Sequence, residues 1–516
     1  MFLFSKPLWT SKQHAHFQSL TNSLAHRKPH HLLTVNILLA PTPTPCYTSV
    51  KIDYTSRKRA MNTDGLQGML SLDQLEHAIR NDQIDTVLAV FPDLYGRLVG
   101  KRIAGSYFLD QVAANGMHVC DYLFTVDMEM DVVEGYEFAN WQKGYGDFHC
   151  VPDWSTLRKA TWLDRSAIVV CDVQTEATHE LVAIAPRSML KAQLARLAEL
   201  GYSAKGGSEL EYYLFKDSYE AAHKKGYENL EPFSTYIEDY HMFQGTKEER
   251  INAEVRRHME ASGIPVESSK GEWGPGQHEL NLRYAEVLTM ADRQCVYKQA
   301  FKEIAWAQEI SVSFMAKWRS DLAGSSMHLH LSLWDQQGLS AFAAGEASDT
   351  FRHFLGGWMA HARAIAPFYA PSPNSYKRYV YQSWAPTHIA WSRDNRTAGF
   401  RIVGQGDAQR IESRLPGADA NPYLAYAAAL AAGIDGIINK IEPPPSFSGD
   451  VYQSAERPRV PANLSEATTE LEQSSMLRQA FGDAVVEHYI HFFRTEQRKY
   501  DEAVTSWERA RYFERG

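Results

Sequence analysis

Polar side chains recurring at every second residue on four short segments constrain this chain more than any other feature, because a period of two marks a β-strand with one polar and one apolar face. In KGGSELEYYLF, Glu209 and Glu211 are separated by one residue and followed by aromatic residues, so a strand projects both carboxylates from one face. GIPVESSKGEWGPGQHELNL places Glu272 on an approach loop. After a Gly-Pro-Gly turn, it sets Glu279 and Asn281 on one face of the next strand. SSMHLHLSLW alternates most cleanly: His328, His330 and Ser332 point one way, Leu329, Leu331 and Leu333 the other. RIESR puts Arg410, Glu412 and Arg414 on a single face. The expected product is a sheet with its apolar face on a core and its polar face lining one space.

Such a gathering has a chemical reason. Carboxylates with one or two imidazoles suit Mg²⁺ or Mn²⁺. Five carboxylates sharing one cavity repel one another and rise in pKa unless cations neutralise them. Arginines beside them imply an anionic substrate, since the guanidinium fork matches phosphate or carboxylate. Together these describe a phosphoryl-transfer site. The chain has neither the Walker pattern GxxxxGK[ST] nor a convincing kinase signature set. A net charge of −9 argues against a nucleic-acid partner. The 5 cysteines form no CxxC pair, and no apolar run reaches the ~18 residues of a membrane-spanning helix, so the expected location is cytoplasmic, with no membrane partner.

Six stretches, GSELEYYLF, GEWGPGQHELN, GSSMHLHLSL, NSYKR, RDNRTAGFRI and RIESRLPGADANPYLAYAAAL, occur in an order and spacing that resemble the glutamine synthetases, specifically the bacterial type I branch with its glutamate–amine ligase relatives. The resemblance covers most of the chain beyond about Asp85. It implies an α+β fold in which a small N-terminal β-grasp-like domain precedes a large catalytic domain, with an antiparallel sheet lining a two-metal site. It implies that Glu211, Glu272 and Glu279 hold one Mg²⁺ or Mn²⁺ ion and Glu209, His328 and Glu412 another, with ATP as co-substrate. Arg378 is implied for the carboxylate of the amino-acid substrate, and Arg396, Arg401 and Arg410 for the phosphates or the acyl phosphate. Gly324, Trp384 and Arg414 fall on the substrate side. His330 and Ser332, with Arg401 and Arg410, fall on the nucleotide side. The family also implies a ring-type homo-oligomer, a dodecamer, whose neighbouring subunit lends an aspartate to the amine site; Asp127 and Asp131 in FTVDMEMDVV are both candidates.

Two departures bear on the substrate. Six residues after Arg378, where ammonia-using members carry a proton-accepting glutamate, stands Trp384; its face attracts an alkylammonium and packs on an alkyl chain. Ala323 replaces an asparagine before Gly324. The flap resembles those of γ-glutamylpolyamine and γ-glutamylmonoamine synthetases, so the expected reaction joins glutamate to an organic mono- or polyamine. An authentic glutamine synthetase using ammonia and a catalytically silent structural homologue are the alternatives.

Residues 1–60 hold no Asp or Glu before Asp53 and scatter Lys, Arg and His among Ser, Thr and Pro, which reads as a disordered, dispensable extension, with translation expected to begin at Met61. A small α/β unit is expected over 61–180. It opens with a helix around Leu72 to Asn81 and a strand, DTVLAVFPD, whose turn LYGRLVGK begins a hairpin. The catalytic domain is expected over 181–516. It begins with a helix at Pro186 that stops at Gly201 and includes a long helix from Glu286 to about Val312, an Ala-rich helix after Asn421, and a helical tail from LRQAFG onward.

Overall fold

Alternating and continuous apolar runs each find the sheet position that suits them in the computed structural model, which describes residues 66–516; the 1–60 extension and Met61 lie outside these. The helix Leu72–Arg80 starts at a capping box formed by Ser71 and Gln74. Thr86–Pro92 (β1) is a run of Val, Leu, Ala and Phe and is buried almost throughout. The hairpin forms: β1 pairs antiparallel with Leu98–Ala104 (β2). Met117–Cys120 (β3), Asp147–Pro152 (β4), Arg158–Lys159 (β5) and Ser166–Thr175 (β6) complete a sheet of order β2-β1-β6-β4-β3, with β5 also beside β6. Only β1 and β6 run parallel.

The second sheet is built around Tyr202–Phe215 (β7). It adds Val266–Gly271 (β8), Gln277–Leu282 (β9), Ala285–Glu286 (β10), Ser311–Ser313 (β11), Met327–Asp335 (β12), Trp391–Arg393 (β13), Phe400–Val403 (β14) and Arg410–Ser413 (β15). Its order is β13-β14-β15-β12-β7-β9-β8, with β10 and β11 also paired to β7. Every pairing is antiparallel except the edge pair β13–β14. Leu329, Leu331 and Leu333 are fully buried on one face, with Leu210, Leu214 and Leu280. The helices Pro186–Glu199 and Val287–Ala307 pack on β7, and Pro422–Asn439 packs on both of them. The small residues of that last helix allow close approach: Tyr426 reaches β7, its hydroxyl donates to the Gly207 carbonyl at 2.7 Å, and a side chain at Gly206 would collide with its ring.

Two helix expectations are corrected. The helix from Val287 ends at Ala307, where Glu309 takes a positive φ of 57° and turns the chain into β11. The tail breaks at Gly482, φ 86°, into Ser475–Phe481 and Asp483–Glu502. The described residues belong to one compact unit, Met61–Gly516. Arg187 ties its sheets together, bonding Asp292 through Nε at 2.9 Å and Nη2 at 3.0 Å, Asp153 at 2.7 Å, and Asp172.

Candidate active site

Strand register brings the sequence-distant polar residues together. His328 lies opposite Glu209, Glu211 opposite Glu279, His330 opposite Glu412, and Glu412 opposite Arg401. Directly opposed residues have Cβ atoms about 5 Å apart, so each pair meets on the polar face. Three groups of donor atoms result, each within 4.8 Å of one another: Glu211 with Glu272 and Glu279; Glu209 with Glu279 and His328; Glu209 with His330 and Glu412. His328 Nδ1 stands 3.0 Å from Glu209 Oε2 and 3.9 Å from Glu412 Oε1, while His330 Nε2 stands 3.1 Å from Glu209 Oε1. All six expected ligand positions therefore converge, and His330 joins them.

The two ends of this cavity differ electrically. Burial and the Glu272 carboxylate push Glu211 up to about 8. Burial, then Glu209 and Glu272, push Glu279 well above its ordinary value, and burial raises Glu272. Lys270 pairs with Glu272, and the Ser326 N–H donates to Glu211 at 2.7 Å, which leaves most of the negative charge uncompensated. A divalent cation fits this donor set. At the other end Glu412, fully buried, accepts from Arg414 Nη1 at 2.6 Å and Arg401 Nη1 at 2.9 Å; burial raises its pKa, but Arg414, then His330 and His328, hold it down at about 2. Burial and Arg414 push His328 down to about 4, so its imidazole is neutral at pH 7 and offers a lone pair.

Arg378, Arg401, Arg410 and Arg414 reach groups of the same cavity. Arg410 Nε donates to His330 Nδ1 at 3.2 Å, and Arg401 also binds Asp394. Arg396 is exposed on the loop between β13 and β14. Ser332 lies further along β12 and accepts from Trp334 Nε1 at 3.0 Å. Arg378 is buried; it donates to Ser326 Oγ at 3.1 Å and to the Leu415 carbonyl, and its Nε has no partner. Gly324 must be glycine here, since an added Cβ would lie 2.5 Å from Arg378 Cγ. Trp384 sits on the loop after Arg378 with a positive φ of 64° and is 45% exposed. Its carbonyl accepts from Arg414 Nη2 at 3.4 Å, and its ring meets Trp273 edge to face with centroids 5.7 Å apart.

A family model for the glutamine synthetase catalytic domain matches residues 183–512. The chain belongs to the glutamine synthetase family. It is 44% identical to the γ-glutamylethanolamide synthetase GlnA4 of Streptomyces coelicolor, over 86% of this chain and 96% of that one. It is 36% identical to a glutamate–isopropylamine ligase of a Pseudomonas species, over 84% of this chain and 96% of that one. The solved GmaS–ADP complex superimposes with a TM-score of 0.75 at 30% identity, covering 85% of this chain and 99% of that one.

Within this glutamine synthetase fold, three participants escaped sequence reading. Lys270 carries a signal in KGE, where a period of two sets it on the face of Glu272. Asp394, the partner of Arg401, and Trp273, the partner of Trp384, carried no periodic signal, because both stand on loops. Asp127 and Asp131 separate clearly. Asp127 is buried, its carboxylate bound by Lys499 and by the Asp131 N–H at 2.9 Å, whereas Asp131 is exposed. Among the described residues no helix is long and apolar enough to cross a membrane.

Proposed function

We propose that this glutamine synthetase family member joins the γ-carboxylate of glutamate to an organic amine through γ-glutamyl phosphate, converting ATP to ADP and phosphate. Its relatives of 44% and 36% identity are named for ethanolamide and isopropylamine products or substrates. The observation that carries the reading is the Trp384–Trp273 pair. Trp384 holds the flap position of a proton-accepting glutamate and, with Trp273, offers apolar surface that suits an alkylamine better than ammonium.

Glu211, Glu272 and Glu279 would hold one divalent cation, Mg²⁺ or Mn²⁺, and Glu209, His328 and Glu412 a second, and bound there they neutralise charge on the phosphates of ATP. Arg396, Arg401 and Arg410 face the transferring phosphoryl group, and His330 and Ser332 the nucleotide. Arg378, with Gly324 and Arg414, receives the glutamate carboxylate. The γ-carboxylate takes the phosphoryl group; the amine nitrogen then bonds to the acyl carbon, phosphate departs, and the ammonium proton is lost. Of the two candidate aspartates, Asp131 is exposed and Asp127 is paired with Lys499, which favours Asp131 as the acceptor of that proton for a neighbouring subunit of a ring-type homo-oligomer.

Phosphate release from ATP with glutamate and a panel of ethanolamine, methylamine, isopropylamine and putrescine, against ammonium, tests this. One of the amines is expected to give the highest kcat/KM. A higher value for ammonium than for every amine overturns the substrate assignment, and release with none of them overturns the activity.

A further inference from the structure

Behind the catalytic sheet lies a second group of metal-ligating side chains. His278 precedes Glu279 on β9, so the two side chains leave opposite faces of the strand. Glu279 enters the catalytic cavity. His278 meets Glu238 and Glu248, and the donor atoms of all three lie within 4.8 Å of one another. Glu238 and Glu248 are fully buried and His278 is 3% exposed. Imidazole Nε2 stands 2.7 Å from Glu238 Oε2 and 2.6 Å from Glu248 Oε2.

These contacts are short, yet they lack hydrogen-bond direction. Glu238 Oε2, both oxygens of Glu248 and His278 Nε2 are buried with no hydrogen-bond partner. Glu238 Oε1 alone is satisfied, by the Gly276 N–H at 3.0 Å. Among the described residues no lysine or arginine pairs with either carboxylate, so the His278 imidazole is the one group that can set positive charge between the two acids. Orphaned polar atoms at this depth cost free energy unless something binds them.

We propose that Glu238, Glu248 and His278 form a divalent-metal site of their own, separate from the catalytic cavity. Two carboxylates and an imidazole without thiols suit Zn²⁺ or Mn²⁺. Bonds of about 2.1 Å in a tetrahedral site set donor atoms roughly 3.4 Å apart, so the imidazole nitrogen and each carboxylate part by about 0.7 Å to seat the ion. Asn252 supplies the outer contact, its amide 3.2 Å from His278 Nδ1 and its other end 2.7 Å from the Tyr212 hydroxyl. Turning that amide over presents its oxygen to Nδ1–H, which frees the Nε2 lone pair for metal. The ion clamps catalytic parts from behind. The backbone N–H groups of Glu238 and Asp239 donate to the Glu272 carbonyl at 3.3 and 3.0 Å, so this site braces the Glu272 loop as well as β9.

The test is the Zn²⁺ content of the full-length protein, loaded with Zn²⁺ alone and dialysed, measured by mass spectrometry beside Glu248→Gln and Glu238→Gln/Glu248→Gln. These variants keep the side chain's shape and one acceptor oxygen while removing its charge. Each is expected to hold one Zn²⁺ fewer per chain than the unaltered protein and to need about tenfold more Mg²⁺ for half-maximal phosphate release. Anomalous scattering from Zn²⁺-soaked crystals of the unaltered protein should show a peak between the three side chains, whatever the variants' folding. Equal Zn²⁺ content, or no peak there, overturns the site and leaves three residues that share protons only.

Discussion

Raising the pH of the metal-free protein from about 6 to about 8 should weaken its fold and strengthen its hold on metal, and Glu211 sets the size of both effects. Burial and Glu272 push its carboxyl from 4.5 to about 8. A carboxyl raised in this way keeps its proton in the folded state where the unfolded chain has lost it. Stability is therefore complete below the unfolded value and falls as pH rises, until the folded value is passed. Over this window the folded group goes from about 1% to about 50% ionised while the unfolded one is already ionised, a loss of about 2 kcal/mol. A divalent ion needs the ionised carboxylate, so its affinity should rise about 50-fold over the same interval, with close to one proton released per ion near pH 6. Glu279 and Glu272, raised by burial and by the same crowding, add to this direction.

Titration calorimetry with Mn²⁺ on nucleotide-free protein, in two buffers of different ionisation enthalpy, reads affinity and proton release together. Thermal unfolding with and without Mn²⁺ reads the stability half. An affinity that changes less than about threefold between the two pH values, with no proton released, would refute the argument. It would mean that Lys270 and the Ser326 N–H compensate Glu211 and Glu272 fully, and that the cavity does not need a cation.

Three other outcomes are expected. His328→Gln, which removes the neutral imidazole between Glu209 and Glu412, should lower the rate of phosphate release about 100-fold or more with the fold intact; a loss below about tenfold, roughly 1.4 kcal/mol of barrier, means His328 is not a ligand. Arg187→Met strands Asp153, Asp172 and Asp292 without their shared partner and should cost about 3–5 kcal/mol, read as a fall in Tm at fixed metal; a cost under about 1 kcal/mol shows that Lys191 and the Tyr423 hydroxyl suffice. Light scattering of protein started at Met61 should give a ring-sized oligomer, with Asp131→Asn impairing amide formation; a fully active monomer rules out shared sites.

The parts of this protein legible in its sequence are those where a local period decides the outcome. Glu209 and Glu211, His328 and His330, and Arg410 and Glu412 each fix their own strand's polar face. Two antiparallel registers, of β12 on β7 and on β15, then set His328 against Glu209 and Glu412 against His330. The helix at Pro186 was legible because proline and Gly201, φ 85°, mark its two ends. The tail's break also has a glycine, Gly482, but apolar residues at helical spacing continue on both sides of it and mask the stop that its φ of 86° makes. Contacts between loops carried no signal. Trp273 and Trp384 are 111 residues apart on turns without periodicity, and what pairs them is the fold that brings the Glu272 loop beside the flap. His278 shows the same limit from the other side. The alternation that points Glu279 into the cavity necessarily points His278 away from it, yet that Glu238 and Glu248 wait there depends on a loop and a helix start whose positions no local pattern encodes. Strand periodicity thus specifies which residues face a site, and tertiary packing specifies what they face.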